Sequence, residues 1–141
     1  MNIQMAVLCD AVTVENEKLS LLGAFDTIIT QQSPSPQRPT VHPQCAVALR
    51  VTFTSGDEGP HQLAINLINA DGRSIMPSFP PIPFKVELPE DLHFVTRNFT
   101  ASIQQLQFPE AGLYSVDIRF DDVSCASIPL LVKYSPPREG K

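Results

Sequence analysis

Short segments in which apolar and polar residues alternate are the feature of this sequence that most restricts its fold. The clearest segment runs from Cys45 to Phe53, where every second residue is apolar and the intervening residues are alanine, arginine and threonine. Successive side chains of a β-strand point to opposite faces of its sheet, so a period of two indicates a strand. The same period recurs from Tyr114 to Phe120, so the chain is predicted to consist mainly of strands.

The proline content supports this interpretation, since the chain has fourteen prolines and only six glycines. A proline inside a helix removes a hydrogen bond and clashes with the preceding turn, whereas loops and edge strands accommodate it. Turns rich in Pro, Gly and Asp separate the strand-like segments. We therefore predict an all-β fold, an antiparallel β-sandwich of about eight strands. The chain length fits a single domain at residues 1–134, followed by a polar tail at residues 135–141.

The first two strands are predicted to form a hairpin around the polar residues Glu15–Lys18. The apolar runs Ile3–Cys9 and Leu19–Ile29 have strand length and flank this break. Gly23 lies inside the second run, and a glycine within a strand indicates a bulge or a close approach of another group to the backbone. Later segments of the chain are expected to pack against these apolar strands.

Two aspartates, Asp10 and Asp26, stand at the ends of these apolar runs. With a two-residue loop centred on Asn16 and Glu17, Val7 faces Asp26 and the two carboxylates point to opposite sides of the sheet. A shift of one residue in the register would place both carboxylates on one side, because the side-chain period is two. The sequence leaves this choice open, and hydrogen bonds at strand ends or turns are the favoured role for both residues.

Two proline-rich segments interrupt the regular pattern. Residues 31–43 include four prolines within ten residues, which predicts a stiff, extended loop. Residues 73–88 contain four more prolines among apolar side chains, and we interpret this segment as a kinked edge strand. Its inward residues are predicted to be Phe84, Val86 and Leu88. Residues 93–107 are predicted to form one long strand rather than a helix, because their β-branched and aromatic residues favour a strand.

Charge and hydropathy exclude two classes of partner. The formal net charge is −5, and the ten basic residues are scattered singly, whereas nucleic-acid phosphates require clustered lysine and arginine. No run of about 18 apolar residues is present, so no transmembrane helix is predicted. The first ten residues carry no basic side chain and only a short apolar run, so no signal peptide is predicted. We expect a cytoplasmic protein that binds neither nucleic acid nor membrane.

The residue types that most often carry chemistry are few and scattered. Cys9, Cys45 and Cys125 are odd in number and far apart, so neither a disulfide framework nor a zinc site is predicted. Cys9 and Cys45 are expected to be buried, and Cys125 to be more exposed but inert. The histidines lie in loops or at strand starts, and no Gly-x-Ser-x-Gly nucleophile elbow occurs. We therefore predict that the protein is not an enzyme and needs no cofactor.

Acidic residues are predicted to gather at one end of the sandwich. If each strand crosses the sandwich once, the loops after the first, third, fifth and seventh strands share one end. These loops hold eight of the fifteen acids, Glu15, Glu17, Asp57, Glu58, Glu90, Asp91, Asp121 and Asp122. The proline-rich loop and the turns at 69–72 and 109–112 fall at the opposite end. Clustered carboxylates suit calcium or a basic partner, but solvated acidic turns are the simpler explanation because no Asp-x-Asp spacing occurs.

Two parts of the sequence resemble known families. Residues 108–118, Phe-Pro-Glu-Ala-Gly-Leu-Tyr-Ser-Val-Asp-Ile, resemble the late hairpin of immunoglobulin-like sandwiches, and this resemblance implies a tyrosine corner at Tyr114. Residues 5–10, 18–26 and 42–50 together resemble a family of uncharacterised bacterial proteins, a domain of unknown function. That second resemblance implies a small soluble bacterial protein, and it supplies no activity, substrate or catalytic residue.

These features favour a non-catalytic cytosolic β-sandwich that acts by binding another protein or itself. Exposed strand edges can pair with another chain, and outward apolar side chains are predicted at Leu8, Leu22 and Ile28. One alternative is a sandwich that binds calcium or another ligand at the acidic end. A further alternative is an enzyme whose site is assembled from scattered residues, which sequence motifs do not reveal.

Overall fold

The computed structural model describes residues 1–76 and 79–136. In these ranges the chain forms nine β-strands and one 3-10 turn, Ser55–Asp57, and no helix there is long and apolar enough to cross a membrane. The strands are β1 (Asn2–Glu15), β2 (Lys18–Phe25), β3 (Thr27–Thr30), β4 (Thr40–Phe53), β5 (Gly59–Asn69), β6 (Ile82–Val86), β7 (Val95–Phe108), β8 (Gly112–Phe120) and β9 (Val123–Tyr134). Most of the predicted polar tail, residues 137–141, lies outside the described residues.

The strands form two sheets that pack face to face. The first sheet has the order β2-β1-β4-β7, and the second has the order β3-β9-β8-β5-β6. The strand pairs are antiparallel except for β3 with β9, which is parallel. Strands β4 and β7 lie in one sheet and β5, β6, β8 and β9 in the other, as in immunoglobulin-like domains. The predicted all-β sandwich is therefore confirmed.

The predicted second strand, Leu19–Ile29, is wrong as a single element. The chain leaves the first sheet after Phe25 and joins the second sheet at Thr27, so Asp26 marks the change of sheet. The amide of Leu131 donates a hydrogen bond to the carbonyl of Asp26 at 2.8 Å, which attaches this junction to β9. One predicted strand therefore becomes two, and the described part of the chain has nine strands instead of about eight.

The core lies between the sheets and consists of the inward residues of both. The five inward residues of β4, from Cys45 to Phe53, are at most 1% exposed, as their alternation predicts. Strand β8 likewise buries its four inward residues, from Tyr114 to Phe120. Burying one large aliphatic side chain contributes about 1.5–3 kcal/mol, so this continuous layer is the main source of stability.

The prediction that Leu8 and Ile28 face outward is wrong. Leu8 is 1% exposed and belongs to the main core, and Ile28 packs against the same core. The pairing of β1 with β4 shifts by one residue between Ile3 and Met5, and a one-residue shift moves every following side chain to the other face. Leu22, in contrast, is 72% exposed.

The opening hairpin has a two-residue turn, which is one of the two registers that its sequence leaves open. Glu15 pairs with Lys18, and the two turn residues, Asn16 and Glu17, have φ angles of 51° and 63°. Two successive residues with positive φ define the turn whose twist matches that of antiparallel strands. Strand β1 continues to Glu15, so Asp10 lies inside the strand. The prediction that Asp10 stands at the end of the strand is therefore wrong.

The tip of this hairpin lies against the outer face of the first sheet. The carbonyl of Glu17 accepts hydrogen bonds from Arg50 at 3.4 Å and from Asn98 at 3.0 Å. Arg50 also donates to the side chains of Gln4 and Asn98, at 3.0 and 2.9 Å. Because Arg50 alternates with the core residues of β4, its side chain belongs to the outer face. The hairpin is thus held by a polar clamp of Gln4, Arg50, Asn98 and the Glu17 carbonyl.

A second, smaller apolar cluster lies beneath the hairpin. Its buried members are Cys9, Ala46 and Ala48. The partly buried residues packed against them are Met5, Val7, Val12, Leu19 and Leu21. The two alanines are small and lie on the outer face of β4, so the hairpin side chains can approach the sheet closely. This explains why the outward residues of β4 include apolar ones.

The two proline-rich segments, residues 31–43 and 73–88, match their predicted conformations in part. The predicted loop at residues 31–43 is shorter than expected, because β4 already begins at Thr40. Residues 31–39 are not extended, because the amides of Ser35 and Arg38 each donate to the other residue's carbonyl at 3.1 Å. The chain therefore turns back over Pro36 and Gln37. Of the kinked edge strand predicted at residues 73–88, positions 77 and 78 lie outside the described residues, and Ile82–Val86 form the edge strand β6. Val86 is 2% exposed and Phe84 half-buried, while Leu88 follows the strand.

Candidate functional site

Six of the eight predicted acids lie at one end of the sandwich. Phe53 pairs with Val95 and Gly59 with Val86, so the β4–β5 and β6–β7 loops emerge at the same end. The β8–β9 turn joins them, because the amide of Asp121 donates to the carbonyl of Gln62 at 2.9 Å, near the start of β5. We call this end the acidic pole, and its predicted acids are Asp57, Glu58, Glu90, Asp91, Asp121 and Asp122. The proline-rich loop, residues 31–39, lies at the other end, as predicted.

Glu15 and Glu17 do not belong to the acidic pole, and their predicted placement is wrong. The prediction assumed that each strand crosses the sandwich once. The β1–β2 hairpin instead lies over the outer face of the first sheet, where the Glu17 carbonyl contacts Arg50 and Asn98. Both glutamate side chains are exposed there.

The carboxylates of the acidic pole do not converge on one point. Among residues 1–76 and 79–136, no three His, Cys, Asp or Glu side chains are placed to hold one metal ion. Asp57 is instead used locally, because its carboxylate accepts a hydrogen bond from the amide of Thr54 at 2.9 Å and caps the 3-10 turn. This bond, together with the amino group of Met1 at 2.9 Å, lowers the pKa of Asp57.

The imidazole of His61 connects two turns of the acidic pole. Its Nδ1 atom lies 2.5 Å from the Asp121 carboxylate, and its Nε2 atom lies 2.5 Å from the backbone oxygen of Asp57. The hydrogen bond to Asp121, followed by that to Asp57, raises the pKa of His61. The same bond to His61, followed by one from the amide of Gln62, lowers the pKa of Asp121. Each of the two groups therefore stabilises the charged form of the other.

Aromatic rings pack against the imidazole of His61. The imidazole stacks on Phe84 and Phe53, with ring centroids 5.5 and 6.4 Å away. Phe84 in turn packs edge-on against Phe120 at 5.8 Å, and Arg97 lies over its ring at 5.8 Å. A cationic imidazole over an aromatic face is favourable, so the cluster suits the protonated ring. An open cleft of about 540 Å³ borders this cluster, lined by Pro60, His61, Gln62, Pro83, Phe84, Lys85 and Asp121.

Large apolar side chains are exposed among the acids of this pole. Leu92 is 47% exposed, Phe94 57% and Val123 63%. Leu92 and Phe94 follow Glu90 and Asp91 in the β6–β7 loop, where the amide of Leu92 donates to the carbonyl of Pro89 at 3.0 Å. The loop is therefore an ordered turn that presents carboxylates and apolar side chains together.

Sequence reasoning missed these exposed residues and also the role of His61. The predicted strand that includes Phe94 begins at His93, but β7 starts two residues later, at Val95. His61 was interpreted as an ordinary residue at a strand start. The pairing of β5 with β8 brings it to Asp121, which is 60 residues away in sequence, and no local pattern signals such a contact.

The three cysteines and Asp26 have burial and hydrogen bonds that fit structural roles. Cys9 and Cys45 are buried as predicted, and burial raises both thiol pKa values, that of Cys45 to about 11. Cys125 is half-exposed, and its thiol donates to the carbonyl of Val123 at 3.2 Å. Asp26 accepts a hydrogen bond from the Thr27 hydroxyl at 2.9 Å, which is the turn role favoured for it. A neutral, buried thiol is a poor nucleophile.

Comparison with known proteins supplies a family but no activity. A search of curated proteins found no match to the chain. Residues 4–133 match the family of unknown function DUF6941. This range includes all nine strands apart from the first two residues of β1 and the last of β9, so the match covers the whole sandwich. The chain therefore belongs to the DUF6941 family.

Proposed function

We propose that this protein is a non-catalytic module that binds another protein, and that the acidic pole is its binding surface. The observation that carries the proposal is the exposure of Leu92, Phe94 and Val123 among carboxylates of neighbouring loops. Exposed apolar side chains lose contact with water when a partner covers them, and each contributes binding free energy. Aromatic residues in particular are common at the energetically important positions of interfaces.

The charge of the pole indicates the chemistry of the partner. Carboxylates next to apolar side chains complement a segment that carries lysine or arginine together with apolar residues. Opposite charges speed the encounter, and buried apolar contacts then supply most of the affinity. A second copy of the chain is a poor partner at this pole, because two acidic poles repel each other and the net charge is −5.

The loops of the pole are ordered before any partner binds. Hydrogen bonds hold the Pro89–Leu92 turn, the 3-10 turn capped by Asp57, and the Asp121–Asp122 turn beside His61. A surface that is already ordered loses little conformational entropy on binding, which favours affinity. We further infer that the protein acts in the cytoplasm of a bacterium, an inference that three free cysteines support because oxidising compartments favour disulfides.

A defined peptide probe tests this proposal. The probe is a short synthetic peptide that alternates lysine with leucine and phenylalanine, added to the isotope-labelled protein and followed by NMR. We expect amide shifts to concentrate at residues 89–94 and 121–123. Phe94→Ser is expected to weaken binding by roughly tenfold, as loss of a central interface aromatic does. Glu90→Lys combined with Asp91→Lys is expected to reduce the dependence of binding on salt concentration.

The matched control is Leu113→Ser, since Leu113 is 63% exposed but lies at the start of β8, at the opposite end. This change is expected to leave peptide binding unchanged. Equal losses in Phe94→Ser and Leu113→Ser, or shifts spread over both ends, would show that the acidic pole is not the binding surface. Light scattering at several concentrations tests self-association, and thermal melting with calcium tests the metal-binding alternative, which predicts a rise in melting temperature.

A further inference from the structure

His61 makes two hydrogen bonds that a neutral imidazole cannot make at once. Its Nδ1 atom contacts a carboxylate oxygen of Asp121, and its Nε2 atom contacts the backbone oxygen of Asp57. Both oxygens are acceptors, so both ring nitrogens must carry a hydrogen for the two bonds to coexist. A neutral imidazole has one N–H group, and its other nitrogen would direct a lone pair at an oxygen.

The groups around His61 come from four parts of the fold. The Asp57 carbonyl belongs to the 3-10 turn and Asp121 to the β8–β9 turn, while the rings of Phe53 and Phe84 belong to β4 and β6. The charged groups near the ring include Asp121 and Asp57, with Asp122 and Glu58 next to them in the chain, and three cations. The cations are the amino group of Met1 on Asp57, Arg97 over the Phe84 ring, and Lys85 at the edge of the cleft. Lys85 pairs with Glu87 at 3.1 Å and the Met1 amino group pairs with Asp57 at 2.9 Å, while Asp121 is the carboxylate in direct contact with the ring.

We propose that His61 is a pH-sensitive latch of the acidic pole. The doubly protonated ring holds the Ser55–Asp57 turn and the Asp121–Asp122 turn together. Loss of one ring proton breaks one of the two hydrogen bonds, loosens the turn that this bond held and makes the pole more negative by one unit. The proton goes to solvent, which reaches the ring because its side chain is 21% exposed. The latch operates whether or not a partner binds at this pole.

The direction of the change follows from the contacts. Asp121, together with the carbonyl of Asp57, stabilises the protonated ring and so raises the pKa of His61 above its usual value of 6.5. The latch is therefore closed below that raised pKa and opens as the pH increases through it. A pKa raised above 6.5 moves the titration of the latch toward the pH of a cell.

NMR on the full chain tests the latch directly. Ring-nitrogen spectra of His61 across the pH range are expected to show two N–H groups at mildly acidic pH and one above the raised pKa. Amide protection at Asp57, which donates to Thr54, and at Gln62, which donates to Asp121, is measured over the same range. We expect protection of at least one of these amides to fall by roughly tenfold when the ring loses its proton.

Three variants make the test decisive. Asp121→Asn is expected to move the pKa of His61 back toward 6.5, and asparagine tolerates the positive φ of 52° at this position. His61→Phe keeps the aromatic stacking and is expected to abolish the pH dependence of amide protection. His93→Gln changes an exposed loop histidine and is expected to alter nothing. An unchanged pKa in Asp121→Asn, or amide protection that does not follow the His61 titration, would overturn the proposal.

Discussion

The carboxylate of Asp10 occupies the space that a side chain at Gly23 would need. The two residues lie opposite each other in the β1–β2 hairpin, between the pairs Cys9–Ala24 and Ala11–Leu22. Gly23 also has a φ angle of +67°, a left-handed conformation that other L-residues adopt at a cost. This site separates the part of the hairpin that belongs to the first sheet from the tip that covers its outer face.

Replacing Gly23 with alanine should therefore destabilise the protein. The left-handed backbone costs a non-glycine residue about 1–2 kcal/mol, and the new methyl group collides with Asp10. We expect a loss of about 2 kcal/mol or more in the free energy of unfolding, measured by urea denaturation. The control is Gly56→Ala, because a Cβ at Gly56 meets no atom within 4 Å. Equal effects of the two changes would show that the contact with Asp10 is unimportant.

The polar clamp can be tested at Arg50. Arg50→Ala removes the hydrogen bonds to Gln4, Asn98 and the Glu17 carbonyl, so the hairpin tip should separate from the sheet more often. Hydrogen bonds to a charged group contribute about 1.5–3 kcal/mol, and we expect a destabilisation of that order. Trypsin under native conditions should cleave faster after Lys18 at the hairpin tip. Arg119→Ala, which alters an exposed arginine of β8, should leave cleavage at Lys18 unchanged.

The tyrosine corner implied by the sequence is present and makes a specific prediction. The hydroxyl of Tyr114 donates to the carbonyl of Glu110 at 2.6 Å, and its ring packs edge-on against Phe108 at 4.9 Å. Tyr114→Phe keeps the ring and removes the hydrogen bond, so stability should fall by about 1–2 kcal/mol in thermal or urea unfolding. Tyr134 is 42% exposed, and Tyr134→Phe should change stability by less than about 0.5 kcal/mol. A loss in both variants would contradict the corner's role.

The free energy of unfolding should fall both above and below the pH range in which His61 and Asp121 are both charged. The raised pKa of His61 means that its contribution is complete below pH 6.5 and is lost as the pH rises through the raised value. The lowered pKa of Asp121 means that its contribution is complete above pH 3.8 and is lost as the pH falls through the lowered value. Urea unfolding of the wild type and His61→Phe should differ most between these limits and converge in alkali. A constant difference at every pH would contradict the pair.

Local sequence patterns predicted the strands well where each strand obeys one simple rule. The alternation of Cys45–Phe53 appears in the structure as expected, and the turn at Asn16–Glu17 is one of the two registers that the sequence allows. The pattern failed for β1, because the pairing shift between Ile3 and Met5 moves Leu8 into the core. A one-residue shift leaves no mark on the composition of a strand, so periodicity alone does not reveal it.

The sequence also predicted part of the candidate site. The acids of three loops were placed correctly because strands that cross the sandwich bring alternate loops together. Glu15 and Glu17 were misplaced because the hairpin does not cross the sandwich but lies on the outer face of the first sheet. The contact of His61 with Asp121 and the exposure of Phe94 depend on strand pairing and on the point where β7 begins.

By itself, the sequence determined that this chain is a β-sandwich with a hairpin at its start, because period-two alternation and turn residues act within short segments. Only the tertiary structure decided where the hairpin goes. Several explanations within a short segment exist for Gly23 beside Asp10, for the outward residues Ala46 and Ala48, and for the outward Arg50. Their common role becomes clear when β1 pairs with β4, because that pairing brings the hairpin tip to Arg50 and covers Ala46 and Ala48.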